Sequence, residues 1–384
     1  MTRVTAGLLL SRTASQMAAL AMVLFVLERY HSPGLAGLTV FAATAPGLLV
    51  SPIAGALLDR HGRKWLIVLD QVVAALALFL IGALALAGLL PPALLIAIVF
   101  AQSLTYPLST AGARSLYPLM VPRPLWDRVN AVDSGLYVVA TLVGPPLAGG
   151  LVAAAGGAFA IVVLGLFFAA SALVMSGIRD PEADVITTGS LLRDALAGLR
   201  YVLRNPSLRG LALSIGIFNG ASGIFQVAVP VLVYQRLHGG PALVGGLFAV
   251  LGVAGLVSGL AFGRIGSEGR ERLMLGGGLG LGAVAALLLA LAPNLFMVVL
   301  AMIVFGLSNG PTDIALFSLR QRRTEPAWMG RAFAVSMSLN FAGVPIGAAL
   351  AGPLIAVSLG AALAAAVGFT AVSAVMPMTI PKEG

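Results

Sequence analysis

The sequence predicts an all-α membrane protein with twelve transmembrane helices in two six-helix bundles. Three observations carry this. Hydrophobic residues fill 59% of the 384 positions and charged residues only 10%, against roughly a quarter in a soluble domain. Apolar runs of about 20 residues, long enough to cross a hydrocarbon core as helices, recur twelve times. The basic residues gather in alternate connecting segments, which is the bias that membrane orientation imposes.

In chain order, the first six spans are placed near 5–27, 35–57, 65–88, 92–113, 132–154 and 156–178. The second six lie near 208–233, 241–263, 273–293, 295–318, 332–356 and 358–379. Only Arg3 precedes the first apolar run. No short apolar region ending in small residues suggests a cleaved leader, so residues 5–27 are read as a retained span. Pro91–Pro92 separates spans 3 and 4, and Pro293–Asn294 separates spans 9 and 10. The 47 Gly and 22 Pro suit helices that pack closely in lipid.

Charge placement sets the orientation. Arg60, Arg63 and Lys64; Arg114, Arg123 and Arg128; Arg264, Arg270 and Arg272; and Arg320, Arg322, Arg323 and Arg331 fall in one set of segments, with the arginines of 179–209. With Arg3, Arg12 and Lys382, this set holds every Lys and Arg except Arg29 and Arg236. Both termini are therefore expected in the cytoplasm, as in a multi-pass protein of the bacterial inner membrane. The net charge of +9 is a topology signal that faces anionic lipid, and no nucleic-acid partner is expected.

The long polar stretch 179–206 divides the chain into bundles at 1–178 and 207–384. Its second part, Leu191 to Leu203, spaces apolar residues helically with Arg on the other face, and reads as an amphipathic helix on the inner surface. The halves resemble each other. At an offset of 203, Arg128 matches Arg331, Gly144 matches Gly347, Ala148 matches Ala351 and Gly149 matches Gly352. The segment Arg29–Tyr30–His31 likewise corresponds to Arg236–Leu237–His238. Two parallel repeats predict bundles that rock around a central cavity.

Between spans 2 and 3 stands GALLDRHGRKWLI, Gly55 to Ile67. Its Gly55, Asp59, Arg60, Gly62, Arg63 and Lys64 resemble the loop motif of the major facilitator superfamily. GLYVVATLVGPPLAG, Gly135 to Gly149, is similar to that superfamily's antiporter motif, with Ala148 where a second Gly is common. Leu191 to Gly210, Pro118 to Ser134 and Met329 to Gly352 resemble its enterobactin-exporter and macrolide-efflux branch. The resemblance implies the major facilitator fold, alternating access, and a cavity lined by spans 1, 4, 7 and 10. It also implies that Asp59 and Arg63 help lock the outward-facing state.

Four carboxylates fall in or near the spans: Glu28, Asp70, Asp133 and Asp313. Each needs a reason to leave water. Asp70 and Asp133 are expected to pair with cytoplasmic arginines or to switch a gate, Asp133 by joining Arg63. Asp313 lies two turns before Arg320, roughly 10 Å inside that boundary at the helical rise. Asp313 and Arg12, at similar depth in span 1, are expected to face the cavity and either pair or touch substrate. Asp313 is the candidate for proton coupling. Gln16, Gln102, Tyr106, Asn219, Gln226 and Asn309 would line a mildly polar cavity, although each also serves as a helix–helix hydrogen bond. Gly144, Pro145, Pro146 and Gly149 are expected to kink span 5 and help seal one side.

These features predict a secondary transporter, most simply a proton-coupled exporter of hydrophobic or amphipathic small molecules of drug or siderophore type. A facilitator, or a lysolipid or metabolite transporter without proton antiport, is the first alternative. A non-transporting receptor is the more distant one. The expected partners are a small-molecule substrate, protons and the bilayer, with the chain acting as a monomer. No cofactor or metal is expected, because the chain has no Cys and His31, His61 and His238 are scattered. No catalytic residue is expected, since the Ser and Thr of the spans lack a partner base.

Overall fold

A computed structural model describes residues 2–178, 191–325 and 328–381. All regular structure among them is helical. In hydrocarbon every backbone N–H and C=O must find a partner inside the protein, and a helix does this within one segment. Twelve of the helical segments are long and apolar enough to span a bilayer.

The helices are α1 Thr2–Tyr30, α2 Pro33–His61, α3 Lys64–Leu86, α4 Pro92–Ser103, α5 Tyr106–Met120, α6 Trp126–Ala155 and α7 Gly157–Ser176. After residues 179–190, which lie outside the described residues, come α8 Leu191–Arg204, α9 Pro206–Gln235, α10 Pro241–Gly263, α11 Glu271–Leu291 and α12 Leu295–Arg322. The last are α13 Met329–Phe341, α14 Gly343–Val357 and α15 Leu359–Val375.

Two helices that the sequence reads as unbroken spans are interrupted. Span 4 is divided into α4 and α5 at Leu104–Thr105, and span 11 into α13 and α14 at Ala342. Proline explains both. It lacks an N–H, and its ring clashes with the carbonyl four residues earlier. Pro107 acts on Ser103, the last residue of α4, and Pro345 acts on Phe341, the last of α13. By contrast, α6 runs as one helix through Pro145 and Pro146.

The chain forms two compact units. One comprises Met1–His31 and Leu38–Leu191, the other Ser32–Gly37 and Leu192–Gly384. In the first, α1 packs on α6 and α7, and α3 on α7 and α5. In the second, α9 packs on α14 and α15, and α12 on α10 and α11. The most enclosed spans are α1 and α9.

Small residues bring these helices together. A methyl group on Gly144 of α6 would come 2.6 Å from Gln16 Cβ of α1. In the second unit, methyl groups on Gly343 and Gly347 of α14 would overlap the carbonyls of Gly216 and Gly220 in α9. A methyl group on Gly223 would overlap the Val344 carbonyl. Lipid tails are as apolar as leucine, so helix association in a bilayer relies on such close backbone approach.

The repeat extends to the helix ends. Arg29 Nη1 donates to the Ala85 carbonyl at 2.8 Å, and Arg236 Nη1 donates to the Ala292 carbonyl at 3.1 Å. Both arginines therefore close the C-terminal end of a neighbouring helix, α3 or α11, where a cation is favoured by the helix dipole. His31 and His238 share a positive φ of 50°, an uncommon conformation for a residue with a Cβ. These caps give Arg29 and Arg236 a structural role, which accounts for their position outside the main basic set.

The α8 helix is anchored to its own unit. Tyr201 stacks on Trp328 at 4.8 Å, and its hydroxyl accepts the Glu325 N–H at 3.1 Å. Asn205 then caps α9 by accepting the N–H groups of Ser207 and Leu208. Its Nδ2 donates to the Arg323 carbonyl at 3.0 Å.

The α9–α14 seam predicts a sharp contrast. Gly347→Val should destabilise the protein by about 1–3 kcal/mol, the range for overpacking a filled core. Gly276→Ala, where a methyl group meets open space, should leave the melting temperature within a degree or so. Thermal unfolding of the purified variants in detergent measures both.

Candidate transport site

The first unit accounts for three of the four carboxylates. Glu28 Oε2 accepts the Gly157 N–H at 2.7 Å and so sits at the start of α7, where a helix N-terminus favours negative charge. Asp70 is buried in α3. Its Oδ1 accepts the Thr105 hydroxyl at 2.7 Å. The observed partner of Asp70 is thus a hydroxyl at the proline-induced break, where the sequence led us to expect an arginine. Asp133 forms the pair with Arg12: Nη2 donates to Oδ1 at 2.7 Å and Nη1 to the Asp133 main-chain carbonyl at 2.6 Å. Its ion pair therefore joins α6 to α1.

That pair opens a polar seam between α1 and α6. One turn further along α1, Gln16 Nε2 donates to Thr141 Oγ1 at 3.2 Å, and Gly144 then admits the α1 backbone. Gly149 is also buried on α6, while Pro145 and Pro146 are partly exposed. Arg12, Gln16 and Gly144 thus contribute to one helix contact.

In the loop motif, Gly62 has φ +82°, which glycine adopts without the Cβ penalty. This turn separates α2 from α3. Arg60 is exposed and Arg63 partly buried. Lys64 is buried, with Nζ 4.4 Å from the Trp65 ring centroid. The surroundings of Gly55 and the side chain of Asp59 lie outside the described residues. Gln102 is partly exposed near the end of α4, and Tyr106 is exposed at the start of α5.

Asp313 is different from the other three. Small residues wedge α12 between its neighbours. A methyl group on Gly306 would overlap the Leu251 carbonyl of α10, and one on Gly310 the Ser258 hydroxyl. Ser308 and Thr312 face Gly278 of α11. Asn309, Asp313 and Phe317 follow at four-residue steps on the remaining face. Asn309 is partly exposed, while Asp313 and Phe317 are exposed. Glu28 and Asp313 are both exposed, but Glu28 is bonded to the start of α7, while Asp313 has no hydrogen bond or ion pair among the described residues. On α9, Asn219 Nδ2 donates to the Asn340 carbonyl at 2.9 Å, and Gln226 is partly exposed.

The structure adds Arg320, which the charge pattern assigns to a connecting segment. It lies inside α12 and is fully buried. Its guanidinium is 5.6 Å from the Phe317 ring centroid and 5.1 Å from that of Phe333. Nη1 donates to Met337 Sδ at 2.8 Å, and Nη2 to Asn340 Oδ1 at 2.6 Å with the amide in its hydrogen-bonding orientation. Aromatic faces hold a desolvated cation well. The signal available in the sequence was Phe317 three residues before it. By contrast Arg322, two residues on, pairs with Glu271 at 2.6 Å.

The model of the Major Facilitator Superfamily matches residues 4–348. The chain belongs to this superfamily. The transporter y4rN of Sinorhizobium fredii is 38% identical, over 97% of this chain and 93% of the relative. The multidrug efflux pump Tap of Mycolicibacterium fortuitum is 27% identical, over 86% and 82%. The enterobactin exporter EntS of Shigella boydii is 27% identical, over 88% and 81%. The crystal structure of the nucleoside transporter NupG superposes with a TM-score of 0.77 at 12% identity, covering 99% of both chains, and shows the fold alone. The protein is a multi-pass transporter of the bacterial inner membrane and not an enzyme.

The Arg12–Asp133 pair predicts non-additive stability. Arg12→Ala and Asp133→Ala should each lower the melting temperature, because each leaves a partly buried charge unpaired. The double variant should recover part of the loss, with a coupling of about 1–3 kcal/mol. Purely additive shifts would exclude the pair.

Proposed function

We propose that the protein is a proton-coupled exporter of hydrophobic or amphipathic small molecules, working by alternating access. The observation that carries this reading is the exposed Asp313 on an otherwise closely packed α12. A coupling carboxyl must exchange its proton with water and must be able to sense a solute. Glu28, Asp70 and Asp133 are held by bonds within the first unit. Asp313 is exposed and has no such bond among the described residues.

The groups around it fit the proposed solutes. One turn to either side on the same face of α12, Asn309 offers hydrogen bonds and Phe317 offers apolar surface. A phosphorylated solute would call for a cluster of basic groups; the face of α12 bearing Asp313 has Arg320 alone, and it is fully buried against Phe317 and Phe333. Similarity to the multidrug efflux pump Tap and the enterobactin exporter EntS supports export of such molecules.

In the proposed cycle, a proton on Asp313 and a solute on the same face replace each other as the two bundles, 1–178 and 207–384, rock. The loop at Gly55 to Lys64, with Asp59 and Arg63, acts as the lock for one state, and Asp133 holds α6 to α1 through it. The kink-forming Gly144–Pro145–Pro146 helps seal one side.

Proteoliposomes provide the test, with ethidium as the lipophilic probe. Wild type should accumulate ethidium at least tenfold more with an imposed pH gradient than without one. Asp313→Asn should lose that gradient dependence and keep downhill exchange. Full proton dependence in Asp313→Asn would remove the coupling role. Gradient-independent transport by wild type would instead support a facilitator.

A further inference from the structure

The second unit contains a cavity of about 120 Å³, open on one side, among α9, α10, α11 and α12. Its walls are formed by the buried Phe225, Val229, Ala285, Leu289, Ala301 and Met302. Ser222, Phe248, Leu251 and Phe305 also line it and are partly exposed, which marks the side on which it opens.

The lining is almost free of polar groups. Ser222 supplies the one side-chain hydroxyl, and it donates to the Phe218 carbonyl of its own helix at 3.4 Å. An ordered water needs two to four polar partners, and an apolar cavity that cannot supply them stays dry. An engineered cavity of about 150 Å³ lined by Leu, Ile and Phe takes up benzene. The cavity here is of that order and chemistry.

The aromatic residues narrow the ligand class further. Phe305 stacks on Phe218 with centroids 5.4 Å apart and rings 7° from parallel. It meets Phe225 edge-on at 5.3 Å and 84°. Stacked and edge-on contacts are the two arrangements aromatic rings prefer, so Phe225 and Phe305 can serve a third ring in either way. Met302 adds a polarizable sulfur, which favours contact with a ring edge.

We propose that this cavity is a binding site for a single benzene-sized apolar aromatic ring, separate from the Asp313 face of α12. The site is built within one unit, from residues that the transport reading leaves unused. Its occupancy can be measured without any gradient or flux. A failed binding test therefore leaves the exporter reading intact, and a failed transport test leaves the site intact.

Fluorine NMR of fluorobenzene added to the protein in lipid nanodiscs tests this. Wild type should show a saturable bound resonance beyond that of protein-free nanodiscs. Ala301→Leu and Ala285→Leu, from two different walls, should abolish it. Each should also keep or raise the melting temperature, because added methyl groups enter empty space. Phe248→Ala should let the site accept 1-fluoronaphthalene, which wild type excludes. Either filled variant, if folded by its melting curve, that kept the bound resonance would overturn the proposal. So would a wild-type signal that never exceeded lipid partitioning.

Discussion

Everything in this molecule follows from the absence of water in the hydrocarbon core. Backbone amides there must be satisfied inside the chain, so the spans are helices. Those helices gain little from burying apolar side chains, because lipid is equally apolar. What remains is close contact. Gly216, Gly220 and Gly223 against Gly343 and Gly347, and Gly144 against α1, supply it. The same constraint governs polar groups. Arg29 and Arg236 close helix ends, Glu28 starts α7, and Arg12 holds Asp133.

Against that background, the few polar groups without such a duty stand out. Three carboxylates are absorbed by local bonds, while Asp313 is exposed on α12. Arg320 presents the opposite case, a cation drawn fully inside between two aromatic rings. The two lie seven residues apart on one helix. The exposed end of that helix is suited to exchange with a solute, and the buried end to holding α12 against α13.

The spans were legible because hydropathy acts over 20 residues, a length on which local detail averages out. The repeat was legible where glycine was required, as at Gly144 and Gly347. Local geometry was harder. Pro107 and Pro345 were visible in the sequence, yet Pro145 and Pro146 lie within the continuous helix α6, so a proline alone does not locate a break. The partners of Asp70 and Asp133 depended on which helices meet. Thr105 reaches Asp70 from 35 residues away, and Arg12 reaches Asp133 from 121. Arg320 was misplaced because a charge count records the residue type and not its burial. The ring-sized cavity needs four helices to exist, and no stretch of sequence encodes it.

The central claim is that the Asp313 face of α12 is reached by water, while the neighbouring faces are not. The chain has no cysteine, so single cysteines can be introduced without background. The decisive measurement is the rate at which a membrane-impermeant thiol reagent labels Asn309→Cys, Asp313→Cys, Ala315→Cys and Leu316→Cys in membranes. The first two should react at least tenfold faster than the last two, which replace buried residues. Equal and negligible rates at all four would mean that this face meets lipid, and would contradict the account.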